Sequence, residues 1–321
     1  MTATAMRLFA GSLLLAAALH AQTLYEFESP AILGSSLVDG GDGFYYGTAV
    51  RGGSAGKGEI YKVNLVTGER ATVVTFDGTN GSYPYGDVVF KNQFLYGTTD
   101  QGGASDMGTV YKVDRSTGVL TTVISFDGAK GAYPRAGLVA FGSDLYGTAS
   151  DGGERGFGGT IFKIDPATGV LTAVVSFASL PRPAGGNPIS PLVVSGSFLY
   201  GTTYSDGANG AGTVFKFEPA TGKLTTLTTG AAETAGHVYA GLVAAGSFLY
   251  GVSTLPGGDG SIFKVDPATG SVATILNFSG TNGSNPIGGL SFDGTYLYGT
   301  TDRDRVKGWV PYSDSIRPPT N

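Results

Sequence analysis

A Tyr-Gly step recurs six times along this chain at nearly constant spacing. Successive steps lie 50, 50, 54, 50 and 48 residues apart, and their tyrosines are Tyr46, Tyr96, Tyr146, Tyr200, Tyr250 and Tyr298. A fixed period of this length is typical of repeat proteins, in which each unit buries its apolar face against its neighbours. The period therefore constrains the fold more than any other feature of the sequence.

Four short strands are predicted in each unit. In the second unit, a strand at 94–99 carries the Tyr-Gly step, and a Gly-rich loop leads from it to a third strand at 108–113. A β-branched fourth strand follows at 120–126, and the short apolar first strand of the next unit lies at 137–139. The third and fourth strands are joined by turns such as Asp-Pro-Ala-Thr-Gly at 165–169, whose residues suit a type I turn ended by glycine.

Antiparallel units of four strands and this length are typical of the blades of a β-propeller. We therefore predict an all-β fold, a β-propeller of about six four-stranded blades. A β-sandwich would lack so strict a period, and a β-solenoid has much shorter repeats. Residues 23–27 match the fourth-strand pattern although they precede the first unit. We expect this N-terminal strand to close the ring as the outer strand of the last blade.

The two ends of the chain differ from the repeat. Residues 1–21 predict a cleaved signal peptide, because Arg7 is followed by an uncharged apolar run at 8–19; a buried N-terminal helix is the alternative. That run is too short to span a bilayer, and no later segment predicts a transmembrane helix. The propeller is assigned to 22–301. In the atypical tail, 302–321, we slightly favour a truncated or frameshifted end over a degenerate last blade.

Composition narrows the class of protein and of partner. The chain has 54 Gly among 321 residues, yet 41% of it is hydrophobic and 11% aromatic, which argues for many tight turns and against a disordered glycine-rich chain. Charged residues make up only 14%, and the formal net charge is −5, so nucleic acid is not an expected partner. Cysteine is absent, so a large repeat core must stabilise a protein expected outside the cytoplasm.

Several motifs recur together in the units: Leu-Tyr-Gly-Thr-Thr, a Gly-Gly loop, Gly-Thr-Val-Phe-Lys and a linker of the type Ser-Phe-Asp-Gly-Thr-Asn-Gly. From residue 23 to about residue 301, this combination resembles the GloVer tandem repeat of bacterial surface proteins. The resemblance implies an exported, propeller-like repeat region, secreted or held at the cell surface, and it brings no characteristic catalytic residues. The Gly pairs are also similar to those of kelch repeats, although the regular Trp of a kelch blade is missing.

Residues for catalysis are scarce. Without residues 1–21, His237 is the one histidine left, so a histidine-based triad or metal centre is not expected. We predict no catalytic residue, no metal and no cofactor, and we interpret His237 as a linker residue without a proton-transfer role. A pair of carboxylates, as in glycoside hydrolysis, is the enzymatic alternative. Asp87, however, is the one acidic residue that falls on a predicted inner strand.

Two other patterns have structural interpretations. A lysine recurs at one position of the third strand, at Lys62, Lys112, Lys163, Lys216 and Lys264. We interpret these lysines as solvated side chains whose stems cover apolar strand surface, rather than as an anion-binding ring. The Asp-Gly-Thr-Asn-Gly run at 77–81 has too few carboxylates for a calcium loop and is interpreted as a turn.

The linkers between units vary most, and they should cluster on one face of the ring. A proline stays nearly constant, while its neighbours change among Tyr, Arg, Asn, His and Ile. Packing at blade junctions explains the proline, but a convergent set of Tyr, Arg and Asn favours ligand recognition. The alternative is that the tyrosines only pack between blades. The candidate ligand-binding residues are Tyr83, Tyr85, Tyr133, Arg135, Asn187, His237, Tyr239 and Asn285.

The sequence thus favours non-catalytic recognition of a glycan or a protein, outside the cell or at its surface. An extracellular carbohydrate-active hydrolase or lyase and a purely structural repeat spacer are the alternatives. Nothing in the repeat identifies the ligand or the oligomeric state.

Overall fold

The computed structural model describes residues 35–181, 184–207, 210–228, 237–238, 240–254, 258–286 and 288–301. This part of the chain is built of β-strands, with one short 3-10 turn at Phe177–Ser179. None of its helices is long and apolar enough to cross a membrane. The predicted signal peptide (1–21), closing strand (23–27) and tail (302–321) lie outside the described residues.

Five four-stranded antiparallel sheets follow one another along the chain, and each forms one blade in simple strand order. The first two blades consist of β1 (Val38–Asp39), β2 (Tyr45–Ala49), β3 (Glu59–Val63), β4 (Arg70–Thr75), β5 (Val89–Lys91), β6 (Phe94–Thr99), β7 (Thr109–Asp114) and β8 (Leu120–Ser125). The next two consist of β9 (Val139–Phe141), β10 (Asp144–Ala149), β11 (Thr160–Ile164), β12 (Leu171–Ser176), β13 (Val193–Ser195), β14 (Phe198–Thr203), β15 (Thr213–Glu218) and β16 (Lys223–Thr228). The fifth blade and the described part of the sixth consist of β17 (Val243–Ala245), β18 (Phe248–Ser253), β19 (Ser261–Val265), β20 (Val272–Asn277), β21 (Ser291–Phe292) and β22 (Leu297–Tyr298).

The first strands of the blades are the innermost. Strand β9 contacts β5 and β13, and β17 contacts β13 and β21, so these strands line the axis while the fourth strands lie outside. The β-propeller predicted from the repeat period is confirmed. In the described residues the sixth blade has two strands, and the expected closure by the N-terminal strand stays a prediction.

The Tyr-Gly step has a direct packing reason. Gly97 pairs across the sheet with Tyr111 of the third strand, and a methyl group on Gly97 would lie 2.5 Å from Tyr111 Cζ. The same overlap would occur between Gly147 and Phe162. Because the outer end of the third-strand aromatic ring already occupies this space, only glycine fits beside it.

Apolar side chains hold neighbouring blades together. The aromatic ring that follows the fourth strand of one blade packs on the third-strand ring of the next blade, with centroids 5.2 to 5.5 Å apart. These pairs are Phe76–Tyr111, Phe126–Phe162 and Phe177–Phe215. Such contacts form a separate apolar cluster at each blade junction, so stability is distributed around the ring as nearest-neighbour terms.

Predicted strand limits agree best in the middle of each unit. Strand β6 has the predicted limits, but β9 begins two residues later than predicted. The cause is Gly137, which lies against the backbone of the preceding blade: a methyl group on it would be 2.6 Å from Asp87 O. Gly137 therefore belongs to the linker rather than to the strand.

Blade 1 differs on the face that points away from blade 2. Glu59 stands where the next four blades have Thr or Ser, and Arg70 stands where they have Leu or Val. These two departures form an ion pair, and Thr72 Oγ1 donates a 2.9 Å hydrogen bond to Glu59 Oε2. The guanidinium lies 4.9 Å from the centre of the Tyr61 ring, and burial raises the pKa of Tyr61 to about 12.

Candidate functional site

The two faces of the ring carry different connections. On one face, which we call the linker face, the linkers between blades lie beside the loops between second and third strands: Ser82 bridges to Gln101, and Ala132 to Asp151. The opposite face, which we call the turn face, carries the turns between first and second strands and between third and fourth strands. The predicted clustering of the linkers on one face therefore follows from the strand order.

The first residue of three linkers joins two blades through its main chain. Tyr83 N donates to Lys57 O of blade 1 at 2.8 Å, and Tyr83 O accepts from Asp100 N of blade 2 at 3.1 Å. Tyr133 and Asn187 make the corresponding bonds at the next two junctions. This geometry places the linker residue in the left-handed region, with φ of 59° at Tyr83 and 54° at Tyr133.

The constant proline is a packing residue, as expected. Pro84 and Pro134 are buried, and each lies against a glycine at the start of the third strand of the preceding blade. A methyl group on Gly58 or Gly108 would be 2.5 to 2.7 Å from the proline Cδ. This packing contact explains why the proline recurs, and it places no requirement on the residues on either side of it.

Asn187 has a structural use for its whole amide group. Its Nδ2 donates to Ser150 O at 2.8 Å, and its Oδ1 accepts from Ser205 Oγ at 2.6 Å. Asn187 and Asn285 also have positive φ, at 52° and 55°, a conformation that asparagine adopts more readily than most residues. These two positions fit the packing alternative better than recognition.

His237 stacks on Tyr204, with ring centroids 5.1 Å apart and planes 28° from parallel. Its Nδ1 lies 3.2 Å from Tyr204 O, and its main chain exchanges two 2.8 Å hydrogen bonds with Thr254. The side chain is half-buried. Tyr239, the last residue of this linker, lies outside the described residues.

Tyr85 and Arg135 are the exposed members of the predicted set. The Tyr85 side chain is 43% exposed, and that of Arg135 is 53% exposed. The two side chains are attached to backbone segments that lie next to each other. Gly86 lies directly against Ala136 and Gly137, with no room for a side chain between them. Together with the half-buried Tyr83 and Tyr133, they form what we call the Tyr85–Arg135 sector, at the junction of blades 2 and 3.

Asp100 anchors Arg135 in this sector. Arg135 Nε donates a 3.0 Å hydrogen bond to Asp100 Oδ1, and the Asp100 side chain is only 5% exposed. Burying a carboxylate is costly unless it is paired and hydrogen-bonded, so this pair fixes the orientation of the guanidinium. The arrangement presents a planar cation on a segment next to the one that carries the Tyr85 ring.

A model of the Gloeobacter/Verrucomicrobia repeat matches residues 15–184 and 143–310. The chain belongs to the Gloeobacter/Verrucomicrobia repeat family. The resemblance predicted from the sequence motifs is thereby confirmed, and the further likeness to kelch repeats stays a prediction. A search of curated proteins finds no match to this chain.

Solved structures similar to this Gloeobacter/Verrucomicrobia repeat protein are alike in fold alone. The periplasmic gluconolactonase of Pseudomonas aeruginosa is 19% identical, with 92% of this chain and 88% of that one covered and a TM-score of 0.56. The oligogalacturonate lyase of Vibrio parahaemolyticus is 13% identical, with 91% and 77% covered and a TM-score of 0.56. A chain of a nidogen/laminin complex is 16% identical, with 80% and 83% covered and a TM-score of 0.53.

In this repeat protein, Asp87 lies in the linker two residues before the innermost strand β5, and not on that strand as predicted, because β5 begins only at Val89. Its Oδ1 accepts a 2.6 Å hydrogen bond from Ser36 N, and burial raises the pKa of its carboxyl. The corresponding residues of four other units carry no charge and are Ser36, Gly137, Pro191 and Gly241. Asp87 therefore adds a half-buried carboxyl group with a raised pKa to the Tyr85–Arg135 sector.

Sequence reasoning missed Asp100, although a signal for it was present. The residue after the second strand differs among the first five units, as Val50, Asp100, Ser150, Tyr204 and Thr254. That variation matches the variation of the linkers, and the main-chain bonds place the two positions side by side. Four of the five recurrent lysines, in contrast, lie over aromatic rings on the turn-face side, as with Lys112 Nζ 4.8 Å from the centre of the Phe94 ring.

Proposed function

We propose that this protein is an exported, non-catalytic recognition module that binds a glycan or a protein through the linker face. The observation that carries the proposal is the Tyr85–Arg135 sector, where an exposed ring and an exposed guanidinium leave adjacent segments of two blades. Aromatic and Arg side chains in such a setting are typical of recognition surfaces. Two other linkers have isoleucine at the same position, as Ile189 and Ile287, so the fold does not require a tyrosine or an arginine there.

Positive φ at two tyrosines gives further support. A non-glycine residue in the left-handed region costs about 1–2 kcal/mol, and Asn187 and Asn285 meet the same requirement with a better suited residue. Keeping tyrosine at residues 83 and 133 therefore has a cost that a role in binding would offset.

Export is supported by the signal-like residues 1–21. Among the similar structures, the gluconolactonase is periplasmic, and nidogen is in complex with laminin. Both likenesses concern fold alone, so they agree with export and with a binding role without assigning either.

The test is binding of the purified protein to a panel of polysaccharides and cell-wall fractions, beside a Tyr85→Ala/Arg135→Ala variant. A matched control is Val119→Ala/Lys223→Ala, which removes an exposed apolar side chain and an exposed cation elsewhere, both at turns of the turn face. We expect the first variant to lose binding at least tenfold while it melts like the wild type, and the control to bind normally. Binding that survives in the first variant would overturn the proposal, and no binding by any form would overturn its glycan form.

A catalytic role is the second candidate, because Asp87 is a half-buried carboxyl with a raised pKa near the axis. Release of reducing ends or unsaturated products from the same panel, abolished in Asp87→Asn, would favour a carbohydrate-active enzyme. Binding without turnover would favour recognition.

A further inference from the structure

We infer that the Tyr85–Arg135 sector binds the carboxylate of an acidic sugar, with Arg135 as the anion-binding group and Tyr85 as the ring beside it. This inference rests on the proposed recognition function and specifies its ligand class as a polysaccharide of uronic acids. Three observations support it. Arg135 is paired with Asp100, the neighbouring blade junctions have no such pair, and the surrounding surface has few exposed apolar side chains.

The pairing leaves one edge of the guanidinium free. Asp100 Oδ1 holds Arg135 Nε, and within the described residues the two terminal nitrogens of Arg135 donate no hydrogen bond. Because the guanidinium is planar and its side chain is 53% exposed, these two nitrogens can donate in parallel to both oxygens of a carboxylate. Such fork-to-fork bonds are the preferred contact between Arg and carboxylates.

The pair is not needed to join the blades. At the corresponding positions, the junction of blades 1 and 2 has Tyr85 and Val50, and the junction of blades 3 and 4 has Ile189 and Ser150. Those junctions close without a charge at either position. An ion pair with one exposed partner contributes little to stability, so the other junctions lack no structural benefit by doing without the Asp100–Arg135 pair.

The surrounding surface fits a sugar better than a protein. Among the described residues of the linker face, the large apolar side chains that are exposed are Tyr85 and Phe157, at 43% and 60%. A stable protein interface needs about 800 Å² on each partner, with an apolar core, and separate rings do not provide one. One aromatic ring and one fork suffice for a single uronate residue.

The experiment compares acidic polysaccharides with their esters, which keep the backbone and lose the charge. Polygalacturonate and alginate are titrated into the protein by calorimetry, beside methyl-esterified polygalacturonate and propylene glycol alginate. We expect at least tenfold weaker binding of the ester form of whichever polymer binds. Arg135→Lys, which keeps the charge and the reach to Asp100, should lose most of this discrimination because it lacks the fork.

A second variant guards against misfolding, since Arg135→Gln alone would leave Asp100 buried and unpaired. Asp100→Ser/Arg135→Gln removes both charges, keeps the net charge unchanged and places at residue 100 the serine found at the next junction. We expect this variant to melt like the wild type and to bind acid and ester forms equally. Lys223→Gln, on the turn face, should bind like the wild type.

Equal binding of acid and ester forms by the wild type, or discrimination that persists in Asp100→Ser/Arg135→Gln, would overturn the inference. Loss of binding in Tyr85→Ala would then still support recognition of a neutral glycan on the same face. No binding to any polysaccharide would overturn the inference and the glycan form of the proposed function together. Binding to a cell-wall protein, lost in Tyr85→Ala/Arg135→Ala, would keep only the protein form.

Discussion

Tyr111 carries a hydroxyl group that the junction of blades 1 and 2 does not satisfy. Its Oη is buried without a hydrogen-bond partner among the described residues, and burial raises the pKa of the phenol far above its usual range. The next three blades have phenylalanine at this position, as Phe162, Phe215 and Phe263. An unsatisfied buried hydroxyl costs about 1–3 kcal/mol.

We therefore predict that Tyr111→Phe raises the free energy of unfolding by on the order of 1 kcal/mol. Urea denaturation measures it, with Tyr85→Phe as an exposed control that should change stability by less than about 0.5 kcal/mol. A loss of stability in Tyr111→Phe would show instead that the hydroxyl has a partner, such as a buried water.

Asp87 makes stability depend on pH in a defined direction. Burial raises the pKa of its carboxyl above the ordinary value of about 3.8, so the folded state binds this proton more tightly than the unfolded state does. The stabilising contribution is complete below the unfolded pKa and is lost as pH rises through the raised folded pKa.

Asp87→Asn should consequently raise the melting temperature at neutral pH, because it removes the cost of a buried charge and keeps an acceptor for Ser36 N. At a pH of about 3.5, below the unfolded pKa, the gain should vanish. Thermal melts of both proteins at the two pH values check this. A gain of equal size at both would mean that ionisation is not the cause.

At the scale of the strand, four of the five four-stranded blades hold a lysine of the third strand over an aromatic ring at the start of the second strand. The ammonium groups of Lys62, Lys216 and Lys264 lie 4.5, 3.5 and 4.6 Å from the centres of such rings. Blade 3 has Asp144 in place of the ring, and Lys163 Nζ lies 3.4 Å from Asp144 Oδ2 instead. One strand position thus keeps its cation while its partner changes from a ring to a carboxylate.

A double-mutant cycle separates the two kinds of partner. We predict a coupling of about 0.5–1 kcal/mol between Lys112 and Phe94, and a similar or smaller coupling between the half-exposed Lys163 and Asp144. Adding about 1 M salt should reduce the second coupling more than the first, because exposed ion pairs are screened. Equal salt sensitivity would contradict the assignment of Lys112 to the ring.

The sequence predicted the strands but not these contacts, and the reason is geometric. Alternating β-branched residues and glycine turns specify strands such as β6 locally, and the Asp-Pro-Ala-Thr-Gly turn formed as predicted: Asp165 Oδ1 accepts from Ala167 N at 2.8 Å, and Gly169 has φ of 73°. The partner of Arg135 could not be found in this way, because Asp100 lies 35 residues earlier, on another connection. The left-handed tyrosines were also unexpected, since tyrosine rarely adopts that conformation.

At the scale of the whole molecule, blade 1 presents a different surface on the side where the ring would meet its last blade. Glu59 and Arg70 are both largely buried, with 9% and 14% of their side chains exposed. Their positions carry Thr and Leu in blade 2, at Thr109 and Leu120. The sequence period could not reveal this, because a repeat shows what its units share and not how the first differs from the rest.

Breaking such a buried pair from one side should cost about 3–5 kcal/mol, whereas replacing both partners by apolar residues is nearly neutral. We predict a cost in this range for Glu59→Thr and for Arg70→Leu, and stability close to the wild type for the double variant with both consensus residues. Chemical denaturation of the four proteins gives the coupling directly. Additive losses in the double variant would show that the two residues act independently.

The main-chain bonds of the linkers have a consequence for how such a ring can change over time. Tyr83 and Tyr133 join their blades through main-chain N–H and C=O groups, so these bonds do not depend on which side chain the residue carries. Mutation can therefore explore new surface chemistry at these positions without loosening the assembly. The ring can therefore serve as a scaffold for variable binding residues. A library randomised at the residues on either side of each linker proline should yield mostly folded proteins, from which new binding specificities could be selected.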